Sequence, residues 1–316
     1  MQPVKNMKKK ILNIGSITKD TVITGNSQYT QIGGAVYYQL STLNTLKIDS
    51  DSIILMGEDE PELLREIPSQ ANVHPIIRKN TMRYTNIYTD DKRRVQKAYF
   101  PKDTIEIEDL KKLDINLEDY FKAILSPLSP YEIDFPLIKY LKDADIETTL
   151  LIQGYIRHPD KYDNVTHHKW ENHEKYLEYA DIISSDYEEF ETAFDVKIND
   201  CDMKAFVEEN SLKMAIVTKG SDGSAIYTKD DIIEIPAVKT DKIVDSTGLG
   251  DTYISAFIAK KDESTLFNAG LYASICAKNK LENRGALKTS KNKIEKEYKI
   301  RLNDIGQNNK WNYDGQ

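Results

Sequence analysis

The sequence predicts an α/β protein: a doubly wound, mostly parallel sheet with helices on both faces and a small projecting β-sheet. Three observations carry that expectation. Short apolar runs of strand length alternate with helix-length stretches along most of the chain, as in a parallel sheet covered on both faces. Between Arg83 and Phe100 the alternation gives way to two amphipathic strands, which suggests a small sheet projecting from the main one. The chain has 316 residues, 40% of them hydrophobic, enough to bury a sizeable core.

Taken in order, Ile11 to Gly15 reads as a buried strand and Thr21 to Gln31 as an exposed strand or ribbon. Gly33-Gly34 opens an apolar helix, Ala35 to Leu46. Ser52 to Gly57 is a second buried strand, and Glu60 to Gln70 reads as an acidic helix. Arg83 to Thr89 and Arg94 to Tyr99 form the amphipathic hairpin, with Asp90-Asp91-Lys92 as turn material. Strands at Ala123–Leu125, Thr148–Ile152, Asp181–Ile183 and Met214–Thr218 then alternate with helices at Phe135–Lys142, Trp170–Ala180 and Glu188–Phe194. Ala225–Tyr227 and Ile232–Ile235 make a second hairpin around Lys229-Asp230-Asp231. Helices at about 250–260 and 266–280 close the domain. The expected division is one α/β unit over 8–290, with projecting sheet segments at about 20–32 and 83–100, and a charged extension over 291–316. The last residues of that extension read as poorly ordered, and Lys288 to Lys299 as a solvated helix.

Charge narrows the function. Lys and Arg number 43 against 51 Asp and Glu, a net charge of −8, which argues against a general nucleic-acid binder. The two cysteines, Cys201 and Cys276, are far apart and form no metal or disulfide framework, so a reducing cytoplasm is the default. The basic start MQPVKNMKKK lacks a signal-length apolar segment, and no run approaches a membrane span. His158, His167, His168 and His173 have no metal-site spacing and read as solvated. The 19 tyrosines read as packing in the core and lid.

The strongest chemical signal is Asp245-Ser246-Thr247-Gly248-Leu249-Gly250-Asp251, immediately before an apolar helix. Unpaired N–H groups and the dipole at a helix start attract anions, and glycines let amides converge on one oxyanion. Asp251, in the first turn, is placed to take a proton from an attacking hydroxyl. A helix-capping acid after a tight glycine turn is the plainer reading of the short motif. No Gly-Lys-Ser/Thr follows, so it is not a Walker A loop.

The longer pattern resembles the D-T-x-G-A-G-D signature of the ribokinase-like (PfkB-type) carbohydrate kinases, with Ser246 for Thr and Leu249 for Ala. Val217 to Gly223 resembles that family's V-T-x-G-x-x-G nucleotide motif, which implies nucleotide roles for Thr218, Gly220 and Gly223, beside Asp245 and Thr247. Asp186-Tyr187-Glu188-Glu189 resembles its N-x-x-E motif, implying that Asp186 and above all Glu189 organise Mg²⁺ through water; an acidic helix start is the alternative. Gly15 to Asp20 resembles its G-x-x-x-x-D, with Asp20 accepting from acceptor hydroxyls, and Gly33-Gly34 its glycine pair, whose backbone lies against the acceptor. Tyr38 stands where ribokinases carry Asn. Gln153 to Arg157 follows a buried strand at its carboxyl end, and Arg157 can meet a phosphate or an acceptor oxygen.

The resemblance runs from Ile11 to Gly285 and implies ATP and Mg²⁺ as cofactors, a monovalent cation as a further option, and a small-molecule hydroxyl acceptor. It also implies a lid that in many members mediates homodimers. A sugar or polyol is the expected acceptor. Tyr38, Gln153–Arg157 and Ser126–Pro130 resemble the branch that includes myo-inositol kinases, with nucleoside kinases as the runner-up. A non-catalytic sensor on the same fold is disfavoured because Asp251 and its glycines are present. A Rossmann oxidoreductase is disfavoured because Gly15-Ser16-Ile17 is no G-x-G-x-x-G turn.

Overall fold

The computed structural model describes residues 10–88 and 94–311. Fifteen strands are β1 (Lys10–Ser16), β2 (Thr18–Thr24), β3 (Ser27–Gly33), β4 (Ser50–Gly57), β5 (Asn72–Arg78), β6 (Met82–Tyr88), β7 (Arg94–Tyr99), β8 (Tyr120–Ser126), β9 (Glu147–Leu151), β10 (Arg157–Pro159), β11 (Val165–His167), β12 (Ile182–Asp186), β13 (Met214–Thr218), β14 (Ser224–Tyr227) and β15 (Ile232–Ile235). The helices are α1 (Ala35–Thr45), α2 (Ile107–Lys112), α3 (Phe135–Asp143), α4 (Gln153–Ile156), α5 (Glu174–Leu177), α6 (Tyr187–Phe194), α7 (Asp200–Glu209), α8 (Leu249–Lys260), α9 (Leu266–Leu281) and α10 (Lys291–Trp311).

The main sheet has nine strands in the order β15-β14-β13-β12-β9-β8-β1-β4-β5. From β13 to β5 all pairs are parallel; β14 and β15 add an antiparallel edge. Because both faces are covered, the central strands are apolar at successive positions rather than alternate ones. Leu12, Ile14, Leu125, Leu150, Ile183 and Val217 face a core closed by α3, α6 and α7. Their neighbours Ile11, Ile124, Leu151, Ile182 and Ile216 face one closed by α8 and α9. Each fully buried side chain of this size contributes roughly 1.5–3 kcal/mol.

The lid is a separate four-stranded sheet, β3-β2-β6-β7. Only Ile17 separates β1 from β2, and its N–H donates to the Leu55 carbonyl at 3.1 Å, so the lid grows directly out of the main sheet. Lys19 on β2 and Arg83 on β6 both pair with Glu60, at 2.5 and 2.9 Å, clamping the lid's base to the loop after β4. Burial opposes ionisation of Glu60, yet the two cations hold its carboxyl down to about 2.

Several elements differ from expectation. The acidic stretch 60–70 forms only a short 3₁₀ turn, Pro61–Glu66, because Pro68 breaks the run; the unanticipated edge strand β5 follows. Residues 170–180 hold one helical turn, α5, with Trp170 instead stacked on the Tyr155 ring at 4.3 Å. The ribbon at 21–31 is two strands folded at Gly25, whose φ of 55° suits the reversal. Helices α2 and α7 and the ribbon β10–β11 were not anticipated. The charge run at 288–299 is not wholly solvated: Ile294 and Tyr298 of α10 are buried against α9. The turn at 90–92 and the chain end beyond Trp311 lie outside the described residues. Among the described residues no helix is long and apolar enough to cross a membrane.

Candidate active site

A cleft of about 770 Å³ crosses the carboxyl ends of β1, β9, β12 and β13 under the lid. That is where an open α/β sheet presents ligand-binding groups. Two helices enter it through glycines. At α8 the N-cap is Gly248, left-handed at φ 74°, with no side-chain cap. The first intrahelical bond runs from Thr252 N to the Gly248 carbonyl at 3.0 Å, so the amides of Leu249, Gly250 and Asp251 are the first-turn donors. At α1 the N-cap is Gly34, φ 101°, again without a side-chain cap. Neither helix start spends its first donors on a capping side chain, although at α1 the Tyr37 N–H already donates to the Gly34 carbonyl at 3.1 Å. Helix α6 is the contrast: Asp186 and Glu189 close a reciprocal capping box, with Glu189 N donating to Asp186 at 2.7 Å and Asp186 N to Glu189 at 3.2 Å.

The glycines differ in what they allow. A Cβ on Gly248 would strike the Tyr38 ring, one on Gly34 the Ser16 carbonyl, and one on Gly33 the Asp20 carboxylate. Gly250 is in helical conformation and faces open space, so its backbone does not require glycine. Gly220 lines the cleft, whereas Gly223 sits behind it: its φ of 100° and its approach to the Ile235 carbonyl serve the β13–β14 reversal.

Asp251 is the acidic residue of the first turn of α8. Burial pushes its carboxyl up to about 6; Arg157 opposes the shift, Glu189 adds to it, and a hydrogen bond from the Gln153 side chain and the charge of Lys280 lower it. Arg157 is not a surface residue. Its guanidinium meets Glu189 at 3.1 Å, with both side chains almost buried. Its Nε is buried without a protein partner. Burial works against its charge, but Tyr84 and Glu189 outweigh that and raise its pKa. The result is a chain of charges, Glu189–Arg157–Asp251, along one wall.

Asp245 stands behind the wall and organises the loop. Its carboxylate accepts from Thr247 N at 2.9 Å and Gly285 N at 3.0 Å. Thr218 lines the cleft, and its hydroxyl reaches the Ser185 carbonyl at 3.4 Å. Tyr38 is buried beneath Gly248 with its hydroxyl unpaired, so it offers a ring face and one polar atom.

The acceptor side is made by the lid. Thr18 donates to Asp20 at 2.6 Å, which orients that carboxylate. Tyr84 donates to the Leu128 carbonyl at 3.0 Å. Asn86 and Gln96, directly opposite each other on β6 and β7, hydrogen-bond at 2.9 Å and line the cleft. Neither was picked out from sequence. The signal was available, because Asn86 shares the Tyr84 face at period two, and a hairpin centred on Asp91 pairs position 86 with 96.

Among the described residues no cluster of three or more His, Cys, Asp or Glu could hold a metal ion. Asp186 and Glu189 each have one oxygen committed to the capping box, and Glu189 also meets Arg157. Their remaining acceptor capacity suits the water shell of a Mg²⁺ carried in on phosphates, not direct ligation.

Comparison with known proteins gives the family and the fold. The family model "pfkB family carbohydrate kinase" matches residues 22–293. A 44-residue stretch is 59% identical to a nucleoside kinase of Methanocaldococcus jannaschii, covering 14% of this chain and 15% of that protein. A pyrophosphate-dependent kinase of the ribokinase family, solved with a pyrophosphate analog and myo-inositol, superposes with a TM-score of 0.74 at 21% identity over 88% of this chain and 97% of that one. Arabidopsis thaliana ribokinase with ribose and ATP gives 0.73 at 16% identity over 93% and 99%. The match spans more than half of this sequence and takes in most of the lid and the 245–251 loop, so the chain belongs to the PfkB family of carbohydrate kinases, whose members are phosphotransferases acting on hydroxyl groups.

Proposed function

We propose that the chain transfers the γ-phosphoryl group of ATP to a hydroxyl of a sugar or polyol. One observation carries the reading: a carboxylate with its pKa pushed up to about 6 sits in the first turn of a helix whose glycine entry leaves its amides for an anion, facing lid side chains suited to hydroxyls. Phosphoryl transfer asks the protein mainly for positioning and charge stabilisation. The amides of Gly248 and of the first-turn residues Leu249, Gly250 and Asp251 would hold the moving oxygens, and the Asp251 carboxylate would accept the acceptor's proton as the new P–O bond forms and the bond from the γ-phosphorus to the departing ADP breaks. Arg157 would meet phosphate or acceptor oxygen. Asp20, Asn86, Gln96 and Gln153 would orient the acceptor, and the lid would exclude water. Mg²⁺ would neutralise phosphate charge, with Asp186 and Glu189 meeting its water shell.

ATP is favoured over pyrophosphate by Ile243 and Val244, exposed just before the loop, where an adenine base could cover them. The short match to a nucleoside kinase and the buried rings of Tyr38 and Tyr84 favour a second reading, a nucleoside acceptor. A cytoplasmic location and a homodimer through the lid belong to this reading too. The test is nucleotide or phosphate release with myo-inositol, ribose, fructose, adenosine and inosine, each with ATP–Mg²⁺ and with pyrophosphate–Mg²⁺. A sugar or polyol used with ATP is the expected result. A nucleoside ahead by about tenfold overturns the acceptor; no turnover with any pair overturns the kinase.

A further inference from the structure

A buried lysine lies directly behind the candidate anion hole. Lys280, in the last turn of α9, is 0% exposed. Its ammonium donates to the Asp245 main-chain carbonyl at 2.8 Å and meets the Asp245 carboxylate at 3.1 Å. It also lies over the Tyr38 ring, 5.6 Å from the centroid, on the ring that backs Gly248. The N–H groups of Val244 and Asp245 donate to the Leu281 carbonyl at 2.9 and 3.3 Å, so the end of α9 grips the start of the loop. Burial draws the Lys280 pKa down, Asp245 holds it up, and Asp251 does so more weakly.

An isolated ammonium in such a place is costly, and a buried ion pair seldom stabilises a fold by more than an apolar replacement would. The placement therefore invites a functional account. The oxygens that Lys280 takes, a main-chain carbonyl and a carboxylate beneath a phosphate-binding loop, are the hard donors that a dissolved cation would otherwise seek. The ammonium satisfies them and fixes a positive charge behind amides that meet a growing negative charge in phosphoryl transfer.

We propose that Lys280 is a positioning residue that acts as a built-in cation: it holds the 245–251 loop in its anion-binding shape and makes turnover independent of added monovalent cations. The proposal rests on the kinase reading above. It gives the monovalent-cation option a specific answer, since the Asp245 oxygens behind the loop are already engaged.

The test begins with wild-type protein in a choline buffer, titrated with K⁺, Na⁺ and NH₄⁺ at constant ionic strength. Turnover constant within about twofold is expected. Lys280→Met and Lys280→Ala should lower kcat about 10²-fold, on the scale of losing one oxyanion donor, with the acceptor KM nearly unchanged. Lys280→Ala should regain at least tenfold with added K⁺, NH₄⁺ or ethylammonium, which a purely structural ion pair would not produce. Circular dichroism and melting identify a variant that fails to fold, and the wild-type titration stands without any variant. Wild-type activation of tenfold or more by K⁺ overturns the proposal and leaves the kinase reading intact, as does Lys280→Met at wild-type kcat. Folded Lys280→Ala that no cation rescues also overturns it. Wild-type protein inactive with every donor and acceptor overturns the kinase reading and this proposal with it.

Discussion

The floor and the roof of the cleft recognise ligands by different means. The floor, formed by the 245–251 loop and the start of α8, presents backbone amides and the Asp251 carboxylate, backed by buried side chains. Asp245 ties the loop, Tyr38 backs Gly248, and Lys280 is wholly buried. The roof presents side chains from three strands of the lid, β2, β6 and β7, on one face; the other face meets solvent, where Val95 is 40% and Tyr99 48% exposed. Backbone donors bind any phosphate of the right shape, whatever the acceptor. Side chains on a half-exposed sheet can be exchanged without disturbing a core. On the function proposed above, the difference teaches where change is tolerated: the floor would set the chemistry and the roof which hydroxyl receives it.

The sharpest way to break this division is to remove the floor side chain proposed as the base. Asp251→Asn should lower kcat about 10²–10⁴-fold, the usual worth of a general base, with the ATP KM changed little because backbone amides hold the phosphates. Retention of more than about half of wild-type kcat would remove Asp251 from the chemistry.

Next come the glycines, which separate two roles that sequence alone merges. Gly248→Ala must adopt a left-handed conformation and displace the Tyr38 ring, so it should cost about 1–3 kcal/mol of stability and most activity. Gly250→Ala, helical and open, should leave melting unchanged or raise it slightly, with less than about tenfold loss of kcat/KM. Equal effects on activity and melting would refute the assignment of the backbone constraint to Gly248.

What could be read from the sequence follows the same division. The 245–251 loop is contiguous, so its glycines, acid and following apolar helix can be seen together. The central strands were legible because burial on both faces leaves unbroken apolar runs such as Ile182-Ile183 and Met214 to Val217. Edge strand β5 was not, because Asn72, His74 and Pro75 interrupt any such run and its pairing with β4 supplies what its own pattern lacks. The acids at the start of the 60–70 stretch looked helical, but Glu60 serves as partner for Lys19 and Arg83 and Glu62 for Lys19. Lys280 reads as one more surface lysine at the end of a helix. Only tertiary packing of α9 under the loop reveals it, since the partner lies 35 residues away.

On the roof, Asn86→Leu and Gln96→Leu should redistribute kcat/KM among acceptors by roughly 10-fold each and leave the ATP KM within about twofold, because each removes a hydrogen-bonding amide. An equal loss for every acceptor would mean that the pair supports lid folding instead of reading the substrate. The pair is cross-strand, so the double variant should cost less than the product of the two single effects.

The smallest expected effect tests whether the floor's carboxylate is truly desolvated. The Asp251 carboxyl is raised from 3.8 to about 6, chiefly by burial. Its folded-state pKa therefore lies above the unfolded value, and the folded state holds the proton more tightly. The stability this provides is full below about pH 4 and is lost as pH rises through about 6. A shift of that size corresponds to at most about 3 kcal/mol, and to less here because Asp251 borders an open cleft. Asp251→Asn removes the cost of the buried charge, so it should melt about 2–4 °C above wild type at pH 8 and together with it near pH 4. The pH–rate profile of the wild type should show the same group from the other side, with kcat/KM falling tenfold per unit below pH 6 as the base is protonated. A variant that melts with wild type at both pH values, combined with a rate that stays flat to pH 4.5, would mean an ordinary solvated carboxylate. The floor would then differ from the roof in shape alone, not in electrostatics.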